Sequence, residues 1–263
     1  MKALIAALLL IATPLWADDV PAAARAAQVV WLGEVHDNPA HHVEQARWVA
    51  ALAPRALVFE MLTSEQVAAV AGIARDDAAA LAAATGWADS GWPDFAMYAP
   101  IFAAAPQARL YGAAVPRDAA RTAMTDGVAR TFGARAAAFG LDRALPAAAQ
   151  AAAEAEQMAA HCNALPPEML PGFVDIQRLR DAELARAALD ALDATGGPVA
   201  VITGNGHARR DGGAPAYLLT VRSDITTFSL GQSEAGAIIG QFDALRDAAP
   251  ADRPDPCAAF RKP

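Results

Sequence analysis

The stretch VVWLGEVH at residues 29–36 decides the fold, and VAVITGNGH at residues 199–207 repeats its plan. Each is a short apolar run ended by glycine, which is typical of a buried β-strand. Each places a histidine three residues after its first glycine. A third apolar run, at residues 57–59, leads directly into Glu60. Two histidines and two glutamates therefore follow predicted strands.

These strand ends predict one functional site. In an open parallel sheet, ligands bind beyond the carboxyl ends of the strands. Glu34, His36, Glu60 and His207 should therefore converge on one cleft. Any one of them alone could be a solvated loop residue, but four together indicate a site.

Helical segments separate the predicted strands. Asn38-Pro39 is a helix start, because Asn caps free amides and Pro suits the first helical position. The pattern predicts an α/β fold with a mainly parallel sheet flanked by helices. Helix formers dominate residues 119–172, which predicts a small inserted helical subdomain. A long helix over about 174–194 and a last strand over 225–230 follow.

The chain begins with a predicted secretory signal. Lys2 precedes an apolar run, and the segment ends in Trp16-Ala17 before two aspartates. The run is shorter than the roughly 20 residues of a membrane span, so we expect cleavage after Ala17. Residues 18–263 then form one domain, exported to the periplasm or cell envelope. No lipidation cysteine lies near the cut.

Charge and cysteine content limit the partners and the compartment. The formal net charge of −8 argues against nucleic acid as a partner, because phosphate binding needs clustered Lys and Arg. The two cysteines, Cys162 and Cys257, could form a disulfide in an oxidising compartment or remain two thiols.

The residue types at the strand ends suit two kinds of chemistry. Histidine titrates near neutral pH and ligates metals when neutral. Glutamate can bind a metal, act as a base or orient an imidazole. In a hydrolase, the predicted catalytic residues are Glu34, His36, Glu60 and His207. A zinc or manganese ion would be held by His36, Glu60 and His207.

Several other glycines and histidines near the strand ends are weaker candidates for residues of the site. Gly33 and Gly204 are expected to turn the chain sharply, and Gly206 to leave room for a ligand. After His36, the helix carries His42 on its inward face, whereas His41 is expected on the outer face.

Other polar residues admit two interpretations. Gln177 and Asp181 share one helix face, which favours a pair on a solvated helix. Arg117 could bind a carboxylate or propionate, or it could be a surface arginine at a helix start. Tyr217 could ligate ferric haem or simply belong to the core.

The motifs together resemble the ChaN-like proteins, within the Tiki and erythromycin esterase-like superfamily. The resemblance is carried by LGEVHDNP at 32–39, FEM at 59–61, Gln177 with Arg180-Asp181, and GNGH at 204–207 with its continuation to Leu218. It implies a sheet domain with a small helical domain, and a haem-binding envelope protein linked to iron uptake.

The resemblance also implies a ligand and partners. Haem is expected at a homodimer contact, with an outer-membrane uptake receptor as a further partner. A hydrolase of the same superfamily is the alternative. The predicted haem-binding residues are His36, His42, Arg117, Gly204, Gly206, His207 and Tyr217.

Overall fold

The protein is described by a computed structural model over residues 20–260. The predicted signal peptide, residues 1–17, lies outside this range. A single six-stranded sheet runs through the fold in the order β3-β2-β4-β1-β5-β6, and all its neighbouring strands are parallel. The strands are β1 (Val29–Glu34), β2 (Ala56–Phe59), β3 (Arg109–Gly112), β4 (Val199–Gly204), β5 (Thr227–Glu234) and β6 (Ala244–Ala248).

Helices pack on both faces of the sheet, so the predicted α/β class is confirmed. Helix α2 begins at Pro39 as expected, because the Asn38 side chain accepts a hydrogen bond from the Ala40 amide. Within residues 20–260 the α-helices are α1 (Ala22–Ala26), α2 (Pro39–Leu52), α3 (Ser64–Ala69), α4 (Ala78–Thr85), α5 (Phe95–Ala104), α6 (Arg117–Asp126), α7 (Val128–Phe132), α8 (Ala147–Ala160), α9 (Leu170–Thr195), α10 (Asn205–Ala208) and α11 (Ala214–Val221).

The alternation of side chains along each strand gives each face of the sheet its own core. Leu32 and Ile202 pack on the α2 and α5 side, together with Trp48. Trp31 and Val201 face the other way, against α9 and α11. The central strands are buried on both faces, which is why they read as continuous apolar runs.

The strand order places the functional edge. After β1 the chain goes to β2 and β3 on one side, returns through β4, and then adds β5 and β6 on the other side. Glu34 at the end of β1 pairs in register with Gly204 at the end of β4. The crevice of such a sheet opens where the order reverses, which here is at the ends of β1 and β4.

Close packing, and not a sharp turn, explains the glycines at these ends. Gly33 and Gly204 lie within β1 and β4, and Gly204 has a φ of −63°. A Cβ on Gly33 would lie 2.8 Å from the Leu230 carbonyl oxygen. The predicted sharp turn is wrong for Gly33, which continues within β1, whereas the chain does turn from β4 into α10 directly after Gly204, at a φ that needs no glycine.

Cys162 and Cys257 form a disulfide with a Cα–Cα distance of 5.4 Å, so the pairing is confirmed. It joins the turn after α8 to the C-terminal tail. Residues 119–172 do contain helices, and their status as a separate subdomain stays a prediction. None of the helices within residues 20–260 combines the length and apolarity that a membrane crossing requires.

Candidate functional site

Side chains from three strand ends meet at one edge of the sheet. Glu34 ends β1 and His36 follows two residues later, while Glu60 follows β2 and His207 lies in α10 after β4. The structure brings all four together, with Glu60 between the two imidazole rings. Its Oε1 lies 3.5 Å from His207 Nε2 and 3.9 Å from His36 Nε2.

Glu60 is buried and held in its ionised form. Its Oε2 accepts hydrogen bonds from the Thr203 hydroxyl at 2.6 Å and from the Gly204 amide at 2.8 Å. Burial alone would raise the pKa of Glu60. The charges of His207 and His36, with the two hydrogen bonds, outweigh burial and lower this pKa to about 2.

His36 is the member of the cluster most open to solvent, with 33 % of its side chain exposed. Its Nδ1 donates to Glu34 Oε1 at 2.7 Å, and the Tyr98 hydroxyl donates to the same oxygen at 2.9 Å. Burial opposes the charged ring, but Glu60 and Glu34 raise the pKa of His36 to about 9. His36 is therefore an imidazolium at neutral pH.

The absence of a side chain at Gly204 leaves room for the His36 ring. A Cβ at Gly204 would lie 2.9 Å from His36 Nε2, closer than a side chain atom can approach without displacing the ring. The glycine therefore lets the imidazole lie against the end of β4.

His207 is held from the α9 side. Its Nδ1 donates to Asp181 Oδ1 at 2.7 Å, and Gln177 Nε2 lies 3.1 Å from the same nitrogen. Burial disfavours the charged ring, but Glu60 and Asp181 raise the pKa of His207. Burial raises the pKa of Asp181 to about 6, although His207 opposes this shift.

The interpretation of Gln177 and Asp181 as a pair on a solvated helix is therefore wrong. Asp181 is buried and bonded to His207. Helix α9 packs against α11 and contacts α10 through the hydrogen bond between Asp181 and His207.

Both histidines of α2 are buried, so the expected outward position of His41 is wrong. His41 Nδ1 accepts a hydrogen bond from the Val35 amide at 2.9 Å, and its Nε2 lies 3.3 Å from the Ser233 carbonyl oxygen. Burial lowers the pKa of His41. His42 Nδ1 lies 3.4 Å from Glu34 Oε2. The pair thus supports the loop that carries His36.

An open cavity of about 940 Å³ adjoins the cluster. It lies between α8, α9 and α11, and residues 237–239 close one side. Gln177, Asp181 and Gly206 line it, so the cavity and the cluster share a wall. Arg143, Arg178 and Arg209 give it cationic groups.

The predicted haem-binding residues divide between these two places. Gly206 and Tyr217 line the cavity, whereas His36, His42, Gly204 and His207 belong to the cluster. Burial and Asp181 raise the pKa of Tyr217 to about 12, while Arg178 opposes the rise. Arg117 is exposed at the start of α6, and its predicted role in binding stays a prediction.

Sequence reasoning missed several residues of the site. Thr203 directly precedes the second glycine motif, so its position was a usable signal. Tyr98 comes from α5 and Arg209 follows α10, and neither belongs to a strand-end pattern. Their approach depends on how helices pack, which no local motif reports.

The structure does not support the predicted metal site. Among residues 20–260, no group of three or more His, Cys, Asp or Glu side chains is arranged to hold a metal ion. The catalytic roles predicted for Glu34, His36, Glu60 and His207 stay predictions.

The fold and the site define a parallel α/β domain with a histidine–carboxylate cluster at its strand ends and a cavity beside it. The chain belongs to the family described as "Haem-binding uptake, Tiki superfamily, ChaN", whose profile matches residues 20–218. The resemblance to ChaN-like proteins is thereby confirmed.

Two solved structures are similar to this chain. The structure described as "Cofacial heme binding to ChaN of Campylobacter jejuni" is 20 % identical with a TM-score of 0.61, over 82 % of this chain and 84 % of that chain. The structure of the type III effector HopBA1 is 14 % identical with a TM-score of 0.42, over 81 % of this chain and 80 % of that chain. No curated protein matches the chain.

Proposed function

We propose that this protein binds haem in the cavity between α8, α9 and α11, as an envelope protein linked to iron uptake. The observation that carries the proposal is the placement of Tyr217 in a large cavity with apolar walls and arginines. Membership of a haem-binding family supports the choice of ligand.

The cavity fits the chemistry of haem. Its volume of about 940 Å³ lies at the upper end of the roughly 300–1,000 Å³ of small-molecule sites. Alanines of α8 form one apolar wall, and Val174 and Ile238 add to the apolar lining. A flat apolar macrocycle needs such walls, because its faces gain most from leaving water.

The polar groups of the cavity match the other parts of haem. Bound haem supplies a ferric iron, which a phenol oxygen can ligate. Tyr217 is the residue for that role. Arg143 lines the cavity and could pair with a propionate, since guanidinium groups bind carboxylates in a bidentate manner. Arg209 also lines the cavity, but its guanidinium is already bonded to Asp211 and Glu156, so a propionate would have to replace one of these partners.

The compartment and the partners belong to the same proposal. The disulfide is consistent with an oxidising compartment, which agrees with export to the periplasm or envelope. Cofacial haem binding is described for the similar ChaN of Campylobacter jejuni. We extend this to a homodimer of the present chain, with an outer-membrane receptor as the uptake partner.

A ferric haem titration followed by the Soret band tests the proposal. The wild type should give a saturable change with micromolar or tighter affinity, equivalent to about −8 kcal/mol or better. Tyr217→Phe should weaken binding by about tenfold or more and change the spectrum. Tyr111→Phe is the matched control, because Tyr111 lies on β3 outside the cavity lining.

The outcomes separate the parts of the proposal. No saturable change in the wild type would reject haem as the ligand. A Tyr217→Phe protein that matches wild type in affinity and spectrum would reject Tyr217 as the iron ligand. Sedimentation with and without haem tests the homodimer, which predicts a change from about one to two chains per particle.

A further inference from the structure

Helix α8 forms a wall of the cavity and packs against α9. None of its 14 residues is buried. Even so, the cavity is lined from this helix by Ala149, Ala152, Ala153, Glu156, Gln157 and Ala160. A helix whose packed face is only half-buried gains less from packing than a core helix, since most helical stability comes from burying an apolar face.

The segments before and after α8 are each bonded to another part of the fold. Before it, Arg178 Nη2 donates to the carbonyl oxygens of Gly140 and Arg143 at 3.3 and 2.9 Å. After it, Cys162 is bonded to Cys257. The contacts that hold the middle of the helix are therefore separate from those that hold its two ends.

One ion pair closes the middle of α8 over the cavity. Arg209 Nη1 donates to Glu156 Oε2 at 2.8 Å. The rest of the guanidinium is held by Asp211, with Nε to Oδ1 at 2.8 Å and Nη2 to Oδ2 at 2.9 Å. Gly240 packs against this arginine, because a Cβ there would lie 2.9 Å from Arg209 Cβ.

Arg209 thus joins three walls of the cavity at one point. It follows α10, it contacts the loop at Gly240, and it reaches α8 through Glu156. Its side chain is only 15 % exposed, whereas that of Glu156 is 44 % exposed. The arginine is fixed by Asp211, and Glu156 is the exchangeable partner.

We propose that α8 is a lid on the cavity, that the Glu156–Arg209 ion pair is its latch, and that a carboxylate on an apolar ligand replaces Glu156. This inference rests on the proposed function for its choice of a porphyrin propionate. An exposed carboxylate pairs weakly because water competes for it. A ligand carboxylate brought in by apolar contacts has a higher local concentration and displaces it.

The lid is tested first without any ligand. Amide hydrogen exchange of α8 is compared between wild type and Glu156→Gln, which removes the charge of an exposed side chain and leaves the fold intact. Exchange over α8 should become about threefold faster or more. Glu154→Gln is the matched control, since Glu154 lies on the same helix and bonds to Gln150 instead.

The latch is then tested with protoporphyrin IX, which lacks iron, and with its dimethyl ester, which lacks free carboxylates. Glu156→Gln should accelerate association of protoporphyrin IX by about three- to tenfold in stopped-flow fluorescence. Arg209→Gln should weaken protoporphyrin IX by about tenfold or more and leave the ester nearly unchanged.

Glu156→Gln behaving like Glu154→Gln in both exchange and association rate would overturn the latch. Arg209→Gln weakening acid and ester equally would overturn the carboxylate exchange. If the wild type binds neither haem nor protoporphyrin IX, the haem assignment fails, and the exchange experiment alone still decides whether α8 is latched by Glu156.

Discussion

Asp181 and His207 are 26 residues apart in the chain, yet their side chains share a 2.7 Å hydrogen bond in the interior. The bond links the central helix α9 to the loop after β4. Through Gln177 and Gly206, the same place borders the cavity. This hydrogen bond therefore joins the cluster to the wall of the cavity.

Removal of this carboxylate should destabilise the protein. Asp181→Asn removes the carboxylate that is hydrogen-bonded to the buried His207 ring and leaves Glu60 as its remaining anionic neighbour, which should cost about 1–3 kcal/mol. The pKa of His207 should fall, because Asp181 contributes to raising it. Denaturant unfolding and an NMR titration of His207 measure both effects. Asp193→Asn, at an exposed position of α9, should cost less than about 0.5 kcal/mol, and equal costs would contradict the prediction.

Stability should decline at alkaline pH because of His36. The pKa of His36 is about 9 in the folded state, against an ordinary value of 6.5. A histidine pKa that is higher in the folded than in the unfolded state adds to the free energy of unfolding. This contribution is complete below pH 6.5 and is lost as the pH rises through about 9. His36→Gln should flatten this decline in unfolding free energy, measured from about pH 6 to about pH 10. His161→Gln, outside the cluster, should keep it.

Gly33, Gly204 and Gly206 should differ in how much stability is lost when each is replaced by alanine. Gly33→Ala should cost about 2 kcal/mol or more, because its Cβ meets the rigid Leu230 carbonyl. Gly204→Ala should cost about 1 kcal/mol, because the His36 ring can move aside. Gly206→Ala should stay within about 0.5 kcal/mol, since only Gln177 Nε2 at 3.9 Å is near. The reverse order in chemical denaturation would refute the close-packing account.

Loss of the disulfide should lower stability substantially. Cys162 and Cys257 are 95 residues apart, and a loop of that size restricts the unfolded chain. Replacing both by serine should cost about 2–5 kcal/mol, measured by denaturant unfolding of oxidised and substituted proteins. Native protein that takes up an alkylating reagent before reduction would show that the bond does not form.

The sequence predicts those members of the cluster whose positions depend only on where the strands end. Glu34, Glu60 and His207 follow apolar runs, and the carboxyl ends of parallel strands meet at one edge. The start of α2 was predictable from Asn38-Pro39, because capping is local chemistry. The disulfide followed from two cysteines in a chain with a predicted secretory signal.

The remainder depends on packing between distant segments. The predicted position of His41 is wrong because helix periodicity shows only which residues share a face. It does not show that the end of β5, at Ser233, covers a second face of α2. Asp181 was misjudged for the same reason on α9. Strand β6 was missed because its residues alternate between half-buried and exposed, without an apolar run. The cavity walls come from segments that no short motif connects.

The bond between Cys162 and Cys257 makes a covalently closed ring of chain. The ring, residues 162–257, includes Asp181, His207 and Tyr217. Glu34, His36 and Glu60 precede Cys162 and lie outside the ring. A single backbone cut within the ring leaves its two fragments joined. The cavity half of the site can therefore survive proteolytic nicking that would separate an unlinked chain into two pieces.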